Sequence, residues 1–287
     1  MYTTRFFSTR TKARASALLL AVLLCLSLAG CANSQTAPGA TIPVQIDKAS
    51  ATVSYLGQEG TYTQEACGVF FEKQGSYLPY TTVQEAVQAL VEGQTSYAVI
   101  PQENTIGGAV IDYVDTLIAQ TEVSVVGEVE LPITQNLLAL PGTTLAEIKT
   151  VYSHKQGIAQ GKDPACAAIA AAACADVYQL DILAAGIQNN ENNKTRFYVL
   201  SMQPAATAEA ERLAFIAMGD AEALPELMTA MEKHDVTLIT LHDRPLKTEL
   251  GEYYYLIECA GCSYESYQEL SKTEGFSFRF LGSFDVE

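Results

Sequence analysis

Positive charge is scarce in this chain. Its 287 residues include 17 lysines and arginines against 33 aspartates and glutamates, a formal net charge of −16. Such a surface repels nucleic acid and anionic lipid, so neither is expected as a partner and small molecules remain. An anionic ligand would then need a locally positive pocket. Histidine is also rare, limited to His154, His234 and His242, and Cys259-Ala-Gly-Cys262 has no second pair of its kind. No metal site and no cofactor are expected from that set. Beyond residue 31 the cysteines are Cys67, Cys166, Cys174, Cys259 and Cys262, an odd number without framework spacing, which predicts buried or loosely paired thiols. The apolar run Ala17 to Leu28 is too short for a comfortable membrane span. What the chain does have is 48% apolar residues and a mean hydropathy of +0.10 over a length sufficient for two cored domains.

The first thirty residues carry Arg5, Arg10, Lys12 and Arg14, no acid, and then the apolar run. That order is an export signal, and Leu28-Ala29-Gly30-Cys31 resembles the lipobox of bacterial lipoproteins. The resemblance implies cleavage before Cys31, lipidation of that residue, and a body held on the outer face of a bacterial membrane by the anchor alone. Loss of residues 1–30 removes four positive charges, leaving 17 − 4 = 13 against 33 and a charge of 13 − 33 = −20. Residues 31–50 are polar and turn-rich, as in a flexible tether.

From Thr52 onward, strand and helix periods alternate. Thr52–Leu56 predicts a strand, Gly57–Thr63 a loop, Gln64–Lys73 a helix, Val83–Glu92 a second helix, and Ser96–Ile100 a buried strand. The glycine loop could turn backbone N–H groups toward an anion or serve only as a packing turn. The strand ending at Ile100 delivers Pro101-Gln-Glu-Asn-Thr-Ile-Gly-Gly108, polar side chains at a carboxyl end, where open α/β folds bind ligands. Asn104 or Thr105 could instead cap the helix predicted over Ala109–Ala119. Strands follow at Val123–Leu131, Asn136–Leu140 and Thr150–Tyr152. Ser153 ends the last of these and begins a helix that carries Gln160 about two turns on. Asp163-Pro164 resembles an N-cap for an alanine-rich helix over Ala165–Tyr178, and Leu180–Ala184 is a further strand. The polar segment Gln188 to Arg196 then feeds the apolar Phe197-Tyr-Val-Leu200. At that junction the Thr195 hydroxyl and Arg196 guanidinium are candidates for chemistry, with Phe197 as packing. Arg196 is either a partner for a ligand carboxylate or a structural pair with an acid at the core edge.

Four stretches occur together and in order: Tyr55-Leu-Gly-Gln-Glu-Gly-Thr61, Pro101-Gln-Glu-Asn-Thr-Ile-Gly-Gly-Ala-Val110, Val151-Tyr-Ser-His154 with Gln160, and Asn193-Lys-Thr-Arg-Phe197. Jointly they resemble prephenate dehydratase over nearly all of residues 52–201. The resemblance implies an α/β domain over 51–204 built as two subdomains like those of a periplasmic binding protein, with the site in the cleft between them. It implies conversion of prephenate to phenylpyruvate with loss of water and carbon dioxide, a catalytic role for Thr195, and substrate contacts from Glu103, Asn104, Thr105, Ser153, Gln160 and Arg196. After Gln160 the chain departs from the family, which carries a further strand and helix with a Ser-Thr-Ala motif, so the second subdomain is expected to be shortened. The alternative is an exported lipoprotein that keeps the cleft and captures an anionic aromatic or amino acid without turnover.

Residues 210–287 show strands at Arg212–Met218, Val236–Asp243, Glu252–Cys259 and Phe276–Phe284, with helices at Glu222–His234 and Tyr264–Ser271. That βαββαβ order resembles an ACT domain, a ferredoxin-like amino-acid sensor that pairs into dimers. The resemblance places an effector site at Glu222-Ala223-Leu224 and His242-Asp243-Arg244-Pro245, where the family has Gly-Ala-Leu and Glu-Ser-Arg-Pro.

Overall fold

The computed structural model describes residues 45–153, 163–206 and 210–287. Cys31 and Gln160 lie outside these, as does the segment expected to run as a helix after Ser153. Three sheets organise the rest.

The first sheet begins with β1 (Thr52–Leu56), α1 (Tyr62–Phe70), β2 (Ser76–Tyr80), α2 (Val83–Val91) and β3 (Tyr97–Asn104). β1 lies parallel between β2 and β3. Thr82 caps α2, its side chain accepting the Glu85 N–H at 3.0 Å, and Val83, Ala86, Val87 and Leu90 form the buried stripe. After β4 (Gly108–Ala109), α3 (Ile111–Ala119) leads to β5 (Ser124–Pro132). β10 (Lys194–Ser201) returns from the second sheet and inserts antiparallel between β3 and β5. The sheet order is thus β2-β1-β3-β10-β5.

Alternation along β10 assigns its faces. Phe197 and Val199 pack with Val53, Tyr55 and the α1 residues Ala66, Cys67 and Phe70. Tyr198 and Leu200 pack on the opposite face with Tyr113 of α3 and with Ala214, Ile216, Leu256 and Phe284 from the C-terminal part of the chain. Buried on both faces, β10 is the central element of the first sheet.

The second sheet contains β6 (Asn136–Ala139), β7 (Thr150–Ser153), β8 (Cys166–Ala170) and β9 (Asp181–Ala184), ordered β7-β8-β6-β9, with α4 (Ala173–Tyr178) before β9. The helix expected over Ala165–Tyr178 is therefore only its last turn and a half. Alanine favours helix by a few tenths of a kcal/mol per residue. Cys166–Ala170 instead completes a ladder on both sides, parallel to β7 and antiparallel to β6. Asp163 does not cap a helix either: its carboxylate accepts the Ala165 N–H at 2.9 Å in a turn that enters β8. β2 has no counterpart in the sequence expectation, because Pro79 interrupts a pattern without alternation. Proline is tolerated there because β2 is an edge strand.

The C-terminal sheet has the expected βαββαβ order: β11 (Arg212–Asp220), α5 (Leu224–Lys233), β12 (Thr237–Pro245), β13 (Glu252–Ala260), α6 (Tyr264–Leu270) and β14 (Phe276–Phe284). All pairs are antiparallel, in the order β12-β13-β11-β14. One face is covered by α5 and α6 through Leu227, Met231, Tyr267 and Leu270, and the other contributes to the core shared with the first sheet. β14 crosses β5 at Gly282, and residues 285–287 then run beside β5: Glu128 N–H donates to Asp285 O at 3.2 Å and Glu130 N–H to Glu287 O at 2.9 Å.

A Cβ at Gly282 would fall well inside contact distance of the Val125 carbonyl oxygen. Gly282→Ala is therefore expected to lower the unfolding free energy by about 1–3 kcal/mol, read from a shifted urea midpoint. An unshifted midpoint would show that the two strands do not press together there.

Candidate active site

Thr195 and Asn104 are 91 residues apart and directly opposite on paired strands. Ile106 N–H and Gly107 N–H donate to Asn104 Oδ1 at 3.0 and 2.9 Å, which fixes the orientation of the amide. Its Nδ2 accordingly faces the strand end and donates to Thr195 Oγ1 at 2.9 Å, with Asn193 Oδ1 at 2.8 Å and Lys194 O at 3.1 Å. Because Thr195 Oγ1 accepts, its own proton remains to be donated elsewhere, and accepting one hydrogen bond strengthens a hydroxyl as donor of the next. Thr105 closes the strand end, its N–H donating to Lys194 O at 2.9 Å while its hydroxyl oxygen accepts the Lys194 N–H at 3.1 Å. Neither Asn104 nor Thr105 caps α3, whose N-cap position is Val110.

Register explains how these side chains reach one face. Arg196 pairs with Glu103 and Phe197 with Pro101, so Gln102 is an extra residue in β3. The bulge resets the alternation: Gln102 and Glu103 both turn toward the C-terminal sheet, and Asn104 is turned toward Thr195. No periodicity in the sequence announces this.

Arg196 points the other way from Thr195. Its Nε donates to Glu128 Oε1 at 2.6 Å and one terminal nitrogen to Glu128 Oε2 at 2.8 Å; that same nitrogen also bonds Glu258, while the other lies 3.4 Å from Glu103. Glu128 and Glu258 are both buried. Burial alone would lower the Arg196 pKa, but the bonds to Glu128 and the nearby Glu258 overcome it and raise it. The Glu128 carboxyl is held above its ordinary value, burial outweighing the guanidinium. Arg196 is thus the structural pair that its sequence left open, and its fork is not free for a substrate carboxylate.

Ser153 ends β7 at an exposed position, and among the described residues no hydrogen bond joins it to Asn104 or Thr195. The glycine loop is a packing turn. Gly57, Gly60 and Thr61 N–H groups donate to Tyr80 O, Gln64 Oε1 and Gln58 O. The loop also meets the second sheet: Cys174 Sγ donates to Gly60 O at 3.2 Å and Tyr178 Oη to Glu59 O at 3.4 Å. The two sheets are joined by the crossovers on either side of β6 and β9, tied together where Ile133 N–H donates to Asn193 O at 2.8 Å. Asn193, which sequence reasoning treated only as part of a motif, therefore links the crossover to Asn104. A separate cavity of about 360 Å³ opens between α2 and α3 beside Gln88, Asp115 and Gln120, and no candidate residue lines it.

Around the C-terminal sheet, Ala221–Ala223 forms a short 3-10 turn after β11, with Asp220 accepting the Glu222 N–H at 3.0 Å, and Leu224 opens α5. His242 to Pro245 end β12, and Pro245 and Gly219 both pair with Tyr253, so both segments lie at one end of the sheet. Arg244 is engaged in a fork with Asp115 of α3, at 2.5 and 2.9 Å. His242 packs edge-on against Tyr113, and burial lowers its pKa from 6.5 despite Glu103 and Glu258 nearby. A histidine whose folded pKa is depressed contributes stability that is full above its unfolded value and is lost as pH falls through the folded one. Below about pH 6.5 the wild type should lose stability relative to His242→Asn, measured as melting temperature against pH. Parallel curves would exclude it.

The sequence model of the prephenate dehydratase family matches residues 53–164 and 158–205, two pieces that overlap at 158–164. The prephenate dehydratase of Lactococcus lactis is 26% identical over 275 residues, covering 82% of this chain and 97% of its own. The prephenate dehydratase of Arthrobacter aurescens, solved in complex with L-Phe, superposes with a TM-score of 0.70 at 25% identity, covering 82% of this chain and 90% of that one. A protein described as a quorum quenching acylase shares the fold with a TM-score of 0.72 at 20% identity, covering 82% and 98%. With the family model spanning more than half of its length and α/β relatives matching its fold, this chain belongs to the prephenate dehydratase family.

Proposed function

We propose that the protein converts prephenate to phenylpyruvate, releasing water and carbon dioxide. The observation that carries this is the Asn104 Nδ2 to Thr195 Oγ1 bond, in which the oxygen accepts and the hydroxyl proton is left for a substrate. Thr195 donates that proton toward the departing ring hydroxyl while the carboxylate leaves as carbon dioxide. A positioned donor of this kind is worth roughly 10²–10⁴-fold in rate. Threonine is a weak acid, so orientation by Asn104 and electrostatic stabilisation contribute more than full proton transfer. Thr105, Ser153 and Gln160 complete the substrate contacts in this reading; Glu103, expected among them, turns with Arg196 toward the C-terminal sheet and faces away from the Thr195 hydroxyl. Arg196 acts from behind the strand rather than on the substrate.

The C-terminal βαββαβ unit is read as an ACT-type regulatory module binding an amino-acid effector near Glu222–Leu224 and His242–Pro245, with dimerisation through its sheet. The body is held outside the cytoplasm by a lipid on Cys31. That location supports a second reading, an exported binder of anionic aromatic or amino acids without turnover, because prephenate is made in the cytoplasm.

The test is ultraviolet detection of phenylpyruvate beside a thermal-shift screen of aromatic acids. Phenylpyruvate from the wild type, lost by about 10²–10⁴-fold in Thr195→Ala at unchanged melting temperature, is the expected result. Ligand stabilisation without product selects the binder.

A further inference from the structure

Glu258 is buried in the C-terminal sheet and shares its strand face with Leu256, toward the first sheet. Gln102 Nε2 donates to its Oε2 at 2.7 Å, Tyr198 Oη to the same oxygen at 2.5 Å, and Arg196 to its Oε1. Arg212 Nε lies 3.5 Å from Oε1. Gln102 is the bulge residue that turns Asn104 toward Thr195, and Arg196 is the immediate neighbour of Thr195. The Gln102 side chain also lies against the Tyr113 hydroxyl of α3, so its amide is set between the first sheet's helix and Glu258. One carboxylate from β13 therefore holds both residues whose placement sets the Asn104–Thr195 pair.

We infer that Glu258 is a positioning residue for the Thr195 site, coupling the C-terminal sheet to the strand ends on which the chemistry sits. This deepens the function proposed above and rests on it only for the kinetic part. The carboxylate touches neither substrate nor the Thr195 hydroxyl. It keeps the bulge closed and the β10 end in register, so its loss is felt in the transition state rather than in ground-state binding. A movement of the C-terminal sheet would reach Thr195 by this route, through Gln102 on β3 and Arg196 on β10.

The test compares full-length wild type with Glu258→Gln and Glu258→Asp. Amide hydrogen exchange reads the coupling without turnover. In Glu258→Gln the amides of Thr105 and Lys194 should exchange about tenfold faster or more, while those of Tyr55 and Val99 keep their rates. Glu258→Asp should recover part of the protection, since the charged partner of Arg196 remains. With turnover present, kcat should fall about 10–100-fold in Glu258→Gln, with KM changed by less than about threefold. Unchanged exchange at Thr105 and Lys194, or acceleration spread evenly over the sheet, overturns the inference, as does an unchanged kcat. Absence of phenylpyruvate from the wild type would refute the function and leave the exchange result to decide the coupling. If Glu258→Gln does not fold, Gln102→Ala, which removes one bond and keeps the ion pairs, must show the same local acceleration at Thr105, or the inference fails.

Discussion

Two carboxylates buried between the first and C-terminal sheets must find partners, and much of the structure depends on how they do so. An ionised carboxylate out of water costs several kcal/mol unless it is paired and hydrogen-bonded. Glu128 on β5 and Glu258 on β13 both solve this with one guanidinium, Arg196, while Glu258 also takes the Gln102 amide and the Tyr198 hydroxyl. Such a cluster need not add net stability over an apolar core, but it permits only one register. Tyr198 shows the same restriction, burial and then the Glu258 charge holding its hydroxyl protonated.

The cluster divides β10 by face. Thr195 and Phe197 belong to one side, Arg196 and Tyr198 to the other, and the bulge at Gln102 lets β3 follow the division. The Asn104–Thr195 pair and the inter-sheet contact thus share a strand without sharing a space. In an acidic chain this has a cost, since the cation beside the hydroxyl is consumed by the protein's own acids. Lys194 is likewise paired, with Glu130.

The joint between first and second sheets is lighter. Among the described residues it includes two crossovers, the Asn193 contacts, the Tyr62 hydroxyl on Thr134 O and the meeting of the glycine loop with α4, mostly hydrogen bonds rather than a shared apolar core. The joint between first and C-terminal sheets is a continuous apolar core with charges inside it.

Alternating and helical patterns in the chain determined most elements, the βαββαβ order of the C-terminal part, and the four motifs that place it in its family. Asn104 and Thr195 could be named as partners from those motifs, because strand ends and polar loops are local features. Tertiary structure alone decided the rest. Cys166–Ala170 became a strand because two ladders outweigh a small helical preference, and Ser76–Tyr80 became one because an edge accepts proline. The direction of Arg196 was open between two roles, since what selects one of them is a pair of glutamates 68 and 62 residues away. Those contacts form only when the first and C-terminal sheets have come together, and no local pattern encodes which buried charge will meet which.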